Sequence, residues 1–175
     1  SNDGTFLGFK NETIANLGAY ASVFGTVTPT YLFGPCATGV YKMPAAYSNV
    51  KAVFTNTAPV DAYRGAGRPE ATYTIERLVE KAAKELGMDK TEIRMKNFPT
   101  EFPYQQTLVH SVDSGDYVAG MNKAKEMSDY QGFEKRREES EVKGKLRGIG
   151  VTTYFEACGI APSAVVMSLG CGIGL

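Results

Sequence analysis

Tryptophan is absent from these 175 residues, histidine occurs once, and the three cysteines are scattered with no Cys-x-x-Cys pair. A zinc or iron–sulfur site built from this chain alone would lack nitrogen and sulfur ligands, so no metal residues are assigned within it. An odd set of distant thiols (Cys36, Cys158 and Cys171) does not suit a disulfide framework. It suits a reducing, cytoplasmic compartment with each thiol buried and free. Long apolar runs are missing as well, so neither a membrane-spanning helix nor a charged-then-apolar leader is expected. Excess charge of either sign is also lacking. Nineteen Lys and Arg face nineteen Asp and Glu, which leaves no net field to draw the chain to nucleic acid or a membrane surface.

What remains is ordinary globular material. Hydrophobic residues are 43% of the chain, enough for a core and too many for disorder. The length suits one domain, or one domain plus an appendage. Ser1-Asn2 reads as a tag remnant. Asp3-Gly4 suggests a hairpin turn before strand-like runs at Thr5–Lys10 and Thr13–Phe24, and such a turn implies a partner strand before residue 1. Thr26 to Pro44 is rich in Gly, Pro, Thr and Tyr and reads as irregular, with room for one helical turn. Ser48–Thr55 alternates Val50, Ala52 and Phe54 with polar residues, as a strand does.

The clearest element follows. Ala71, Ile75, Leu78, Val79, Ala82 and Leu86 recur at helical spacing, and Glu76, Arg77, Glu80, Lys81, Lys84 and Glu85 fill the other face. This predicts an amphipathic helix over Pro69–Leu86 that stops at Gly87. Asp89 with Glu92 forms a capping-box pattern for a second short helix, anchored by Met95 and Phe98. Residues 99–112 read as an extended surface loop that carries His110. Asp113–Asp116 offers another helix start, with Tyr117, Met121, Ala124 and Met127 behind it. Residues 133–145 suit an exposed helix, and Ile149–Phe155 suits a strand. The apolar tail Ala164–Leu175 has no cap or stop and looks cut. The fold class expected is α+β, a mixed or antiparallel sheet flanked by helices, with residues 1–175 as a single partial domain.

Chemistry concentrates at Asp61-Ala62-Tyr63-Arg64-Gly65-Ala66-Gly67-Arg68-Pro69-Glu70. Two arginines and two glycines lead into a proline that can open a helix, where its missing N–H costs nothing. Glycine permits positive φ and close backbone approach. Such a turn can present N–H groups to an anion or an electron-rich cofactor oxygen. The same letters also fit a purely structural turn.

From Thr55 to Ala71 the sequence resembles the molybdenum-site loop of the xanthine oxidase family, nearest to the large subunits of aerobic carbon monoxide dehydrogenases. Ile14–Tyr20, Ile93–Phe98 and Tyr154–Ser163 carry the same resemblance in the same order. It implies a piece of a longer large subunit that binds molybdopterin cytosine dinucleotide, partnered by the rest of that subunit, an iron–sulfur small subunit and an FAD medium subunit. By the same resemblance, Arg64, Gly65, Ala66 and Gly67 are cofactor-binding residues. Arg68 either reaches the same place or pairs with Glu70 or Glu76. The residue after the arginine is a copper-holding cysteine in true carbon monoxide dehydrogenases, and here it is Gly65, which has no soft ligand to offer copper. Ala66 stands where xanthine-type enzymes place a substrate-stacking phenylalanine, so a purine held in that manner is not expected either. The general-base glutamate and the pterin-cradling Gly-Gln-Gly stretch have no counterpart in these residues.

The implied activity is that of an oxidoreductase whose isolated fragment holds no cofactor and does not turn over. The alternative is a structural module that keeps the fold without the chemistry and forms homo-oligomers through exposed strand edges. For single residues the plainer readings are packing for Tyr63, a paired acid at a strand end for Glu156, and a surface position for His110.

Overall fold

The computed structural model describes residues 1–156. Cys158, Cys171 and the apolar tail lie outside them. Two eight-residue strands, β1 (Phe9–Asn16) and β2 (Ala46–Val53), pair in parallel from Phe9 opposite Ala46 to Asn16 opposite Val53. Parallel neighbours need a long crossover. Residues 17–45 provide it, irregular with short helical turns as the sequence suggested, and they supply much of the core. A π-helical turn at Thr28–Leu32, closed by Leu32 N–H to the Val27 carbonyl at 3.0 Å, leads into a short 3-10 turn at Gly34–Cys36. Phe33, Cys36, Ala37, Val40, Tyr41 and Met43 are then buried together. Phe33, Cys36, Ala37, Val40 and Tyr41 stand at helical spacing, but Gly34, Pro35 and Gly39 interrupt the run, so the stretch reads as irregular from sequence.

Helix α1 spans Arg68–Leu86 and ends at Gly87, whose φ of 64° supplies the left-handed cap. Its inward stripe is narrower than the spacing suggested. Ala71, Ile75, Val79 and Ala83 lie exactly four residues apart and are buried, whereas Leu78 and Leu86, on the adjacent line, are 48% and 38% exposed. Glu76, assigned to the polar face from sequence, is buried as well.

Helix α2 (Lys90–Lys96) begins where Asp89 accepts hydrogen bonds from the N–H groups of Thr91 (2.7 Å) and Glu92 (3.1 Å). Tyr130 donates to the other carboxylate oxygen at 2.8 Å. Burial alone would raise the Asp89 pKa, but these bonds outweigh it and hold the carboxyl below its ordinary value. The stabilisation is therefore complete above the usual Asp range and is lost as pH falls through the lowered folded-state value. Asp89→Ala should cost about 1 kcal/mol near neutrality, as lost caps do. In urea titrations the difference from wild type should shrink below about pH 4, where the unfolded-state carboxyl protonates.

Beyond α2, Tyr104–Gln105 (β3) and Ser111–Val112 (β4) form a small antiparallel pair inside the stretch read as a loop. Helix α3 (Tyr117–Met127) is capped by Asp116 as expected, and the charged helix α4 (Phe133–Val142) is exposed as expected. The sheets are thus one parallel and one antiparallel pair, flanked by helices.

Four strand expectations change, and the two runs expected at Thr5–Lys10 and Thr13–Phe24 give one strand. β1 starts only at Phe9, because the Asn97 side chain ties down the residues before it, accepting from Phe6 N–H and donating to the Gly4 carbonyl, each at 2.8 Å. It also ends at Asn16, and residues 17–24 are bends and turns rather than strand. In β2 the inward phase fails at its C-terminal end, leaving Ala52 exposed and, just past the strand, Phe54 63% exposed. Residues 149–156 carry no helix, turn or strand and join no ladder among the described residues.

Candidate functional site

The turn before α1 is wound left-handed at three successive residues. Gly65, Ala66 and Gly67 have φ of 97°, 38° and 90°. Two internal bonds fix it, Ala66 N–H to the Tyr63 carbonyl at 2.8 Å and Arg68 N–H to the Gly65 carbonyl at 3.1 Å. These occupy two of the N–H groups that the sequence offered to a ligand. The glycines are also sterically required. A Cβ on Gly67 would lie 2.4 Å from the Thr28 carbonyl oxygen and 2.8 Å from Phe33 N, so the turn sits directly on the π-helical segment. A Cβ on Gly65 would lie 2.6 Å from Pro69 Cγ.

The two arginines diverge. Arg64 is exposed, and its guanidinium makes no hydrogen bond or ion pair among the described residues. Arg68 is half-buried and turns back, with Nη1 donating to the Ala66 carbonyl at 3.3 Å. Tyr63, expected to pack, is 88% exposed. Arg64 is therefore exposed beside the half-buried Gly65 and Ala66, Gly67 is buried, and Arg68 faces inward.

Behind the loop lies a cluster that spacing could not reveal. His110, expected on the surface, is half-buried, with Nε2 3.4 Å from Cys36 Sγ and its ring 5.2 Å from that of Phe155. Burial, then the charge of Arg68, depresses the His110 pKa, so the imidazole is neutral at pH 7. Burial pushes the Cys36 thiol up despite Arg68, which makes it an unreactive core thiol rather than a nucleophile. Iodoacetamide should accordingly label Cys36 only after unfolding, as read by peptide mapping with and without urea. Rapid labelling of the native chain would contradict this. Glu156 is exposed, and its charge bears on Cys36. Among the described residues no group of three or more His, Cys, Asp or Glu is placed to hold a metal.

The position of α1 is fixed by a buried polar network that sequence reasoning missed. Arg94 is fully buried, and its Nε donates to Glu76 at 2.9 Å. The other Glu76 oxygen accepts from Tyr41 Oη and from Thr153 Oγ1 (2.9 Å). Glu80 adds a longer contact to Arg94, at 3.4 Å. Burial and then the Glu76 charge push the Tyr41 phenol far up, so it remains a neutral donor. One carboxylate thereby ties together α1, α2, the crossover and the 149–156 segment.

Comparison with known proteins fits this geometry. The family model described as "Molybdopterin cofactor-binding domain" matches residues 1–98. The carbon monoxide dehydrogenase large chain of Hydrogenophaga pseudoflava is 39% identical over 98% of this chain and 22% of its own length. Subunit gamma of the 6-hydroxypseudooxynicotine dehydrogenase complex of Paenarthrobacter nicotinovorans is 34% identical over 90% and 21%. Among solved structures, quinoline 2-oxidoreductase from Pseudomonas putida 86 superposes with a TM-score of 0.73 at 32% identity, over 82% of this chain and 19% of that one. A Cu,Mo-CO dehydrogenase gives a TM-score of 0.67 at 31% identity, over 83% and 19%. The chain thus spans about a fifth of the length of these relatives. No helix among the described residues is long and apolar enough to cross a membrane. The matched domain, the relatives and the fold agree, and the chain belongs to the molybdopterin-binding large-subunit family of carbon monoxide and xanthine dehydrogenases.

Proposed function

We propose that Arg64 and the backbone of Gly65, Ala66 and Gly67 form one wall of the molybdenum site of a hydroxylase large subunit, and that these 175 residues correspond to a single partial domain of it. The observation that carries this is the left-handed run at 65–67 set beside an exposed guanidinium that has no partner among the described residues. Left-handed backbone holds the chain open to a bound group, and an unpaired arginine at its edge can donate charge-assisted, bidentate hydrogen bonds to cofactor oxygens. The residues present therefore fit an oxygen-rich anionic cofactor, here molybdopterin cytosine dinucleotide. When bound, that group supplies the redox chemistry of carbon hydroxylation with water as the oxygen source.

This chain's own residues bind and orient. Arg64 offsets negative charge, and Gly67 locks the loop against the π-helical turn. Copper has no place at position 65, because glycine lacks a thiolate and a side chain there would collide with Pro69. Without the family's general base, these residues alone do not complete a catalytic cycle. An iron–sulfur small subunit and an FAD medium subunit would take the electrons, in the cytoplasm.

The test is molybdenum per polypeptide, measured by mass spectrometry on the full-length subunit. Wild type should be loaded, Arg64→Ala should lose about tenfold or more of its molybdenum, and Arg64→Lys should fall between, since lysine keeps the charge and loses the fork. The isolated 175-residue chain should hold no stoichiometric molybdenum. Full loading of Arg64→Ala would overturn the assignment.

A further inference from the structure

Residues Ile149 to Glu156 alternate as a strand does but join no sheet among the described residues. Their burial alternates strictly, with Ile149, Val151, Thr153 and Phe155 half-buried and Gly150, Thr152, Tyr154 and Glu156 exposed. Val151 and Phe155 pack on the core, and Thr153 is fixed by its bond to Glu76. The segment is thus pinned from one face. Yet no backbone-to-backbone hydrogen bond reaches residues 149–156 among the described residues, and only the Ile149 carbonyl receives a bond, from Lys90 Nζ at 3.1 Å. Backbone N–H and C=O groups on an ordered strand are strong, regularly spaced bonding groups, and an unpaired row of them is a template for another strand.

The surroundings leave room for that strand. The segment lies between α1 and α3, with an open cleft beside it on each side. The α1 cleft, about 610 Å³, is lined by charged side chains of both signs, including Arg68, Arg77 and Glu80. The α3 cleft, about 510 Å³, is lined largely by apolar groups, including Val40, Phe98, Tyr117, Met121 and Ala124. Gly120 faces this cleft too, and a Cβ there would meet nothing within 4 Å.

We propose that the α3 cleft receives a β-strand of alternating apolar residues from the remainder of the large subunit, hydrogen-bonded along the free edge of residues 150–155. This rests on the reading of the chain as part of a longer subunit. The extent of the relatives favours that occupant over a second copy, since 98% of this chain matches only 22% of the length of the Hydrogenophaga pseudoflava large chain. An exposed apolar cleft beside an unpaired edge matches strand addition, in which main-chain bonds give affinity and alternate side chains give specificity.

Amide hydrogen exchange tests this, on the 175-residue chain and on the full-length subunit. In the isolated chain the amides of residues 150–155 should exchange near their intrinsic rates. In the full-length subunit alternate amides should slow by at least about 100-fold, as expected for a ladder bonded on one edge. Gly120→Trp, which fills the cleft, should leave the isolated chain folded by circular dichroism and return those amides to fast exchange in the full-length subunit. Equal exchange in both wild-type proteins would overturn the proposal. So would protection surviving Gly120→Trp, or protection in the isolated chain that rises with concentration, which would indicate a second copy instead. Molybdenum content does not enter this readout, so failure of the cofactor assignment would leave the exchange result standing, and the reverse.

Discussion

Replacing Arg94 with alanine should cost this chain about 3–5 kcal/mol, the usual effect of stranding a buried charge. Arg94 has no exposure to solvent, and the carboxylate it pairs with is nearly as deep. Burial disfavours the arginine charge, and the Glu76 carboxylate more than offsets that, holding the guanidinium pKa above its ordinary value. Removing Arg94 leaves Glu76 with two neutral donors, Tyr41 and Thr153, and no cationic partner among the described residues. The double variant Glu76→Gln with Arg94→Met should recover much of the loss, because it removes both charges while keeping volume and an amide for Tyr41 and Thr153. Urea denaturation of the three proteins checks this. A loss under about 1 kcal/mol for Arg94→Ala would mean that the network does not fix α1.

Gly67→Ala should be nearly as damaging, for a different reason. The new Cβ would meet the Thr28 carbonyl oxygen and Phe33 N, both backbone atoms that cannot turn aside. A left-handed φ of 90° adds its own strain, and together these should cost roughly 2–4 kcal/mol. Gly87→Ala is the matched control. Its φ of 64° is also left-handed, but open space surrounds it, so only about 1 kcal/mol should be lost. Equal thermal shifts for the two variants would show that the loop is not seated on the π-helical turn. In the full-length subunit Gly67→Ala should also lower molybdenum content, since moving the loop moves Arg64.

The helices were legible because their determinants are local. Gly87 and Asp116 act within a few residues of themselves, and Asp89 does so for its backbone bonds, so each boundary could be placed from sequence. Glu76 was misplaced because its partner lies eighteen residues on, in another helix, and nothing in the amphipathic pattern of α1 marks one glutamate among several as buried. The irregular character of Thr26–Pro44 was legible, but its part in the core was not, because Gly34, Pro35 and Gly39 interrupt the helical spacing of Phe33, Cys36, Ala37, Val40 and Tyr41. His110 and Cys36 are 74 positions apart, and only the folded chain brings them together. At the loop, the resemblance pointed to the right family. The sequence did not show that Arg68 turns inward while Arg64 remains outside, because which way each side chain leaves a left-handed turn depends on its packing against residues 28–33.

Anomalous diffraction at the molybdenum edge, from crystals of the full-length subunit, tests the central claim most directly. The account predicts a single strong peak beside the Gly65–Gly67 backbone and within reach of the Arg64 guanidinium. A peak on another face of the domain, with Arg64 still pointing into solvent, would contradict it.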